Sequence, residues 1–140
     1  MQTLKIIINR EPMASPRPRF TTKGKYVHSY MPKDYVAEKE IIASSIKRVY
    51  GDKLLLNSKL ELSIVFYMKM PNSWSNSKKA LLAGTYHTNK PDLDNLVKTY
   101  KDCMNGIIYE DDRRISKYSE VKKIYSFKPR VEIEIKEMGD

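Results

Sequence analysis

The chain has 140 residues, with 26 Lys and Arg against 17 Asp and Glu, so it carries +9 near neutrality. That length fits one domain, and 41% apolar residues exclude a disordered chain as firmly as 5 Gly and 7 Pro exclude a collagen-like one. The longest apolar run, Ile64 to Met68, is far short of the ~20 residues of a membrane helix, no signal-peptide pattern opens the chain, and Cys103 alone makes neither an internal disulfide nor a cysteine zinc site.

These features lead us to expect a soluble, cytoplasmic protein with no membrane association. The positive surplus points to a polyanion, with nucleic acid ahead of an anionic membrane.

Taken in chain order, the pattern predicts mixed α and β structure. Leu4, Ile6 and Ile8 alternate with polar neighbours, as in a strand that ends at Glu11-Pro12. Met13 to Pro32 contains Pro16, Pro18 and Gly24 and reads as a long irregular or hairpin-like loop, with Gly24 at its tip. A helix is expected from Lys33 to Tyr50, with Val36, Ile41, Ile42, Ser45, Ile46 and Val49 as its apolar stripe and Gly51 as its stop. Leu60 to Met68 alternates as a strand, and Ser77 can cap a short helix reaching about Ala83.

A second loop, Gly84 to Pro91, leads to a helix opening at Asp92. There Leu93, Leu96, Val97, Tyr100 and Met104 share one face, and Asn105-Gly106 ends the helix. Ile107 to Asp112 is a turn. Two strands, about Lys117–Phe127 and Arg130–Glu137, close the fold with Pro129 at a tight turn between them. The expected class is α+β: one small domain over residues 1–140, with about four strands packed against two main helices in the order β-α-β-(α)-α-β-β.

Charge is distributed unevenly along this order. From Pro12 to Lys33 the chain holds Arg17, Arg19, Lys23, Lys25 and Lys33 with no acid, interleaved with Phe20, Tyr26, His28 and Tyr30. From Asp92 to Asp112 it holds six acids against two lysines. Carboxylates repel phosphate, so such an island belongs either on a solvated surface or around a divalent cation that inverts the local field.

Asp92 and Asp94 at a helix start also fit capping and the helix dipole. Capping does not account for Asp111 and Asp112 beyond the helix end. A fold-back of Ile107–Asp112, with at most about 20 Å of extended reach, would let three or four carboxylates converge. That oxygen set suits Mg²⁺ or Mn²⁺, not zinc. Lys98, at i+4 from Asp94, is either a surface partner or a group that stabilises charge on a reacting phosphate. Asp102 either extends this face or is an ordinary surface acid. His28 and His87 lack a nucleophile partner, no Gly-rich phosphate loop is present, and no nucleotide cofactor is expected. Trp74 is either an aromatic contact for a base or, as packing favours, a loop anchor.

The run Lys90-Pro-Asp-Leu-Asp-Asn-Leu-Val-Lys98, followed by Asp102, Asn105-Gly106 and Asp111-Asp112, resembles the RusA family of Holliday junction resolvases. The resemblance extends over most of the chain. It implies a Mg²⁺-dependent endodeoxyribonuclease (Mn²⁺ can substitute), often prophage-encoded, acting as a homodimer on four-way DNA junctions by paired symmetric cuts. It further implies metal-binding and catalytic roles for Asp92, Asp94 and Asp112, with Asp111 as an additional ligand, a catalytic role for Lys98 and a supporting role for Asn95. Arg17, Arg19, Lys23, Lys25 and Tyr26 are the expected DNA contacts, with Phe20 the rival aromatic. The competing readings are a nuclease of broader branched-DNA preference and a non-catalytic DNA-binding module.

Overall fold

The computed structural model, which describes residues 2–139, places β1 at Thr3–Ile8, β2 at Arg19–Lys23, β3 at Tyr26–Tyr30, α1 at Lys33–Tyr50 and β4 at Lys59–Lys69. There follow α2 at Asn76–Leu82, α3 at Leu93–Met104, a 3-10 turn at Asp112–Arg114, β5 at Ile115–Ser126 and β6 at Arg130–Met138. Four strands form one sheet in the order β1-β6-β4-β5, while β2 and β3 form a separate hairpin. Among the described residues no helix is long and apolar enough to cross a membrane.

β4 is the sheet's central strand because it alternates cleanly. Leu60, Leu62, Ile64, Phe66 and Met68 are buried, while Glu61, Ser63, Val65 and Tyr67 on the opposite face are half-buried. Period-two alternation sends each set to its own side of the pleat. The register aligns Leu62 with Ile135, Ile64 with Ile133 and Phe66 with Val131. Next door, Leu4, Ile6 and Ile8 face Ile135, Ile133 and Val131. One continuous apolar face results, and α1 and α3 cover it.

The closing strands are not a hairpin. β6 runs antiparallel to β4 and β5 runs parallel to it on the other side. The chain therefore crosses from one neighbour of β4 to the other within residues 127–129. Two strand spacings amount to about 10 Å, within reach of that short link. Inserting β4 gives the buried residues of β6 a fully apolar neighbour, which the exposed first half of β5 does not offer.

The buried stripe of α1 also departs from expectation. Tyr35, Ile42, Ile46 and Tyr50 face inward, while Val36, Ile41 and Val49 are exposed. Each tyrosine is admitted because its hydroxyl is satisfied: Tyr35 shares a hydrogen bond with Thr99 at 3.2 Å, and Tyr50 donates to the Leu54 carbonyl at 2.6 Å. The cap of α2 is Ser75, not Ser77, its Oγ accepting from the Lys78 N–H. Trp74 packs on Tyr125, ring centroids 5.0 Å apart.

α3 seats Leu96, Val97, Tyr100, Cys103 and Met104 in the core, and the Tyr100 ring meets Phe66 at 5.6 Å. Burial pushes the Cys103 thiol up to about 11, with nearby Lys39 opposing the shift. Only the thiolate is nucleophilic. At pH 8 native Cys103 is expected to react with a disulfide reagent at least about 100-fold more slowly than in the unfolded chain. The rate should climb as pH approaches 11, which stopped-flow labelling in buffer and in denaturant checks.

Candidate active site

The outward face of α3 is set by what its inner face buries. Asp94, Lys98 and Asp102 follow one another at i+4, one helical turn apart, and Lys101 lies beside them. These four side chains, with Asp112 and Tyr118, line a cleft of about 430 Å³ floored by Leu93, Val97 and Val121.

Asp112 reaches the cleft because the chain folds back after α3. The Tyr109 hydroxyl donates to the Lys101 carbonyl at 2.9 Å, Gly106 N–H to the Tyr109 carbonyl at 2.7 Å, and Leu56 N–H to the Ile108 carbonyl at 2.7 Å. Ile108 and Tyr109 are fully buried by this return. Gly106 makes the reversal with φ of 78°, a conformation that favours glycine.

The expected acids separate into distinct settings. Asp94 and Asp112 share the cleft, and among the described residues neither carboxylate has a hydrogen-bond or ion-pair partner. Asp102 also faces the cleft and lies 3.9 Å from Lys39 of α1. Asp92 is exposed at the N-cap of α3, makes no side-chain cap hydrogen bond and does not line the cleft. Asp111 points into its own turn, where its carboxylate accepts the Arg113 N–H at 2.9 Å.

Three or four carboxylates therefore do not converge. Among the described residues, no three acidic, imidazole or thiol groups are gathered closely enough to cage an ion. The fold-back brings Asp112 toward the flank of α3, whereas Asp92 precedes the helix and Asp111 is spent on capping. Two free carboxylates in a cleft lined by no imidazole or thiol still fit a hard divalent cation. Mg²⁺ commonly takes one or two carboxylates and fills its remaining positions with water and substrate phosphate oxygens.

Lys98 has no carboxylate partner among the described residues. Lys101, whose ammonium donates to the Tyr118 hydroxyl at 2.9 Å, is a cleft residue that sequence reasoning passed over, as is Tyr118. Lys101 was legible as a neighbour of Lys98 on the same helix face. Tyr118 depended on the parallel placement of β5.

The basic hairpin is rooted on the same helix. The Ser15 N–H donates to the Asn95 carbonyl at 2.9 Å, and the Met13 N–H to the Tyr100 hydroxyl at 3.0 Å. It is thus the main chain of Asn95 that holds the root, while its side chain is exposed. Arg10 and Glu38 clasp the end of β1 to α1 through contacts of 2.6 and 2.7 Å.

β2 and β3 are exposed along their whole length. Arg19 opposes Tyr30, Thr21 opposes His28 and Lys23 opposes Tyr26, all on one face. Phe20 and Val27 lie on the other face. Tyr26 thus accompanies the cations and Phe20 does not. Gly24, with φ of 61°, starts the turn, and Lys25 completes it. Arg17 lies in the exposed stretch entering β2.

The loop before α3 is held from β5. The Lys123 ammonium donates to the carbonyls of Asn89 and Pro91, both at 2.6 Å. Beside it His87 is buried against the Tyr125 ring at 4.8 Å, and its Nδ1 lacks a partner among the described residues. Burial first, and Lys123 second, hold the imidazole below its ordinary range.

Lys123→Met removes the clamp and is expected to cost about 1–2 kcal/mol, with faster amide exchange over residues 84–91. Denaturant melts and exchange mass spectrometry check both. His87 stays neutral in the folded state while the unfolded chain takes up a proton below about 6.5. Stability is therefore full above that pH and falls as pH drops toward the depressed folded value. His87→Gln should flatten this part of a stability-against-pH curve measured by chemical denaturation.

Comparison with known proteins adds the family. The model of the family described as Endodeoxyribonuclease RusA matches residues 9–136. The chain is 35% identical over 149 aligned positions to the uncharacterized protein YqaN of Bacillus subtilis (strain 168), covering 99% of both chains. It is 36% identical over 84 positions to a protein of Lactococcus phage r1t named crossover junction endodeoxyribonuclease rusA, covering 59% of this chain and 57% of that one. With the match running from the end of β1 to β6 and including the whole cleft, the chain belongs to the RusA family of endodeoxyribonucleases, enzymes that hydrolyse DNA.

Proposed function

We propose that the protein is a Mg²⁺-dependent resolvase that cuts four-way DNA junctions by paired, symmetric nicks, with Mn²⁺ able to substitute. The observation that carries this reading is the cleft in which Asp94, Lys98 and Asp112 meet. The same helix anchors an exposed hairpin with a basic and aromatic face.

Asp94 and Asp112 would hold the cation, with Asp92 the further carboxylate to test and Asp111 the least suited because of its capping bond. When bound, the cation supplies positive charge at the scissile phosphate and makes water a stronger nucleophile at neutral pH. Hydrolysis forms one bond from the water oxygen to phosphorus and breaks one P–O ester bond, and the leaving oxygen takes up a proton. The Lys98 ammonium, free of a carboxylate partner, is placed to stabilise charge that grows on the phosphate oxygens or the leaving oxygen. Lys101, fixed by Tyr118, adds a second positive charge to the same wall.

Arg17, Arg19, Lys23 and Lys25 neutralise backbone phosphates without reading sequence. Tyr26, on the same hairpin face as Arg19 and Lys23, stacks on a base or sugar exposed at the branch. A junction of two-fold symmetry calls for two cuts, and a C2 homodimer supplies two clefts related by the same symmetry. The reading places the enzyme in the cytoplasm, where its DNA substrate lies.

The test is cleavage of a synthetic four-way junction and its matching linear duplex. Paired nicks in the junction alone are expected with Mg²⁺ and none with EDTA. Asp94→Asn and Asp112→Asn should each lower the rate at least about 100-fold, and Lys98→Met by about 10²–10³. Binding without cutting in Mg²⁺ or Mn²⁺ would leave a structure-selective binding protein. Equal cutting of forks and flaps would leave a broader branched-DNA nuclease.

A further inference from the structure

Next to the Asp112–Arg114 turn lies a second cavity of about 480 Å³. Asn57 and Ser58 enter it from the segment before β4 and Lys59 from the strand's first position, Arg113 and Arg114 from the turn, and Ser116 from β5. Half of these residues are cationic and none is acidic. Among the described residues Lys59 and Arg114 have no carboxylate in ion-pair range. Arg113 reaches only Asp111, at 3.8 Å, and both of those side chains are well exposed.

Two polar atoms here are buried and lack a hydrogen-bond partner among the described residues: Ser58 Oγ and Arg114 Nε. Buried polar groups are normally paired, so an orphaned pair marks a place where a partner is missing. Arg114 is not simply loose. Its Nη1 donates to the Asn57 carbonyl at 3.2 Å, which fixes the guanidinium plane and leaves other donors of the fork unspent. A fixed guanidinium, a hydroxyl and two mobile cations together form a receptor for a tetrahedral oxyanion.

The turn ties this receptor to the cleft. Asp112 lines the cleft while Arg113 and Arg114 line the cavity, and the Asp111 carboxylate on the Arg113 N–H locks the turn's shape. We propose that the cavity is a phosphate-binding site that seats a backbone phosphodiester of the DNA strand running on from the cleft. This proposal rests on the DNA-cleaving reading above and adds to it a contact point away from the hairpin. Its role is to fix the direction in which the strand leaves the reacting phosphate.

The experiment measures binding of a fluorescent four-way junction by anisotropy across a salt series, in Ca²⁺ so that DNA is not cut. Lys59→Gln and Arg113→Gln, both at exposed positions, are made singly and together. Arg114→Gln is made as a separate variant and checked by thermal melting. A lost phosphate contact lowers the slope of log K against log salt by about 0.9, so the double variant, which gives up the one phosphate seated here, should lower it by about that amount and each single variant by less. The loss should be equal on junction, fork and duplex, because phosphate contacts carry no sequence or branch preference.

Arg19→Gln with Lys23→Gln in the hairpin is the comparison. An unchanged slope in the Lys59 and Arg113 variants, while the hairpin variants lower it, overturns the proposal and leaves the nuclease reading standing. A wild-type protein that binds no DNA overturns both. Inorganic phosphate is the second probe. If it shifts the Arg114 Nε–H resonance at sub-millimolar concentration without displacing DNA, the cavity serves a free anion and the proposal falls.

Discussion

Burial of one stripe of α3 is the constraint from which the rest of the molecule follows. Leu96, Val97, Tyr100, Cys103 and Met104 are inserted against β4, and truncating a side chain of the size of Tyr100 or Phe66 in such a core costs about 3–5 kcal/mol. That penalty fixes the rotation of the helix about its axis. Asp94, Lys98, Lys101 and Asp102 have no alternative but to face the cleft. The same helix holds the hairpin root through the Asn95 carbonyl and the Tyr100 hydroxyl. The cleft and the root of the hairpin are therefore fixed to one and the same helix.

Electrostatics divides the surface along the same lines. Exposed Arg19, Lys23 and Lys25 offer sequence-independent attraction to phosphate, an attraction that falls off over about 8–10 Å in physiological salt. Inside the cleft the sign reverses, because Asp94 and Asp112 repel a bare phosphodiester. A divalent cation held there would remove that conflict and let the same carboxylates draw the phosphate in. The outer face of the sheet, with Glu61, Glu132 and Glu134 half-buried upon it, offers DNA no comparable invitation. On the proposed reading, strand and cation would both be directed to the helical side and its rim.

Much of this was legible in the chain. Alternation at Leu60–Met68 and Val131–Ile135 named the inner strands, and the signature from Asp92 to Lys98 named the functional helix, because periodicity and side-chain chemistry are local properties. What was not legible depended on long-range partners. Nothing near Val36, Ile41 or Val49 tells that they are exposed while Tyr35 and Tyr50 are buried; the hydroxyl partners are Thr99 and the Leu54 carbonyl. A Pro between two alternating runs reads as a hairpin turn, yet here a third strand separates the two. The adjacent acids Asp111 and Asp112 are chemically alike, and only the backbone of the 3-10 turn assigns one to capping and the other to the cleft.

The place of β6 in the sheet has a consequence for how the chain reaches its native state. It follows every other element in the sequence, yet it lies between β1 and β4 and hydrogen-bonds to both. Until its nine residues have left the ribosome, β1 has no strand to pair with and the apolar face beneath α1 stays incomplete. Pairings between such distant segments are slow to form and leave apolar strand edges open in the meantime. The sheet should consequently close only once β6 has emerged, and until that strand slots into the gap the edges of β1 and β4 stay open to wrong partners.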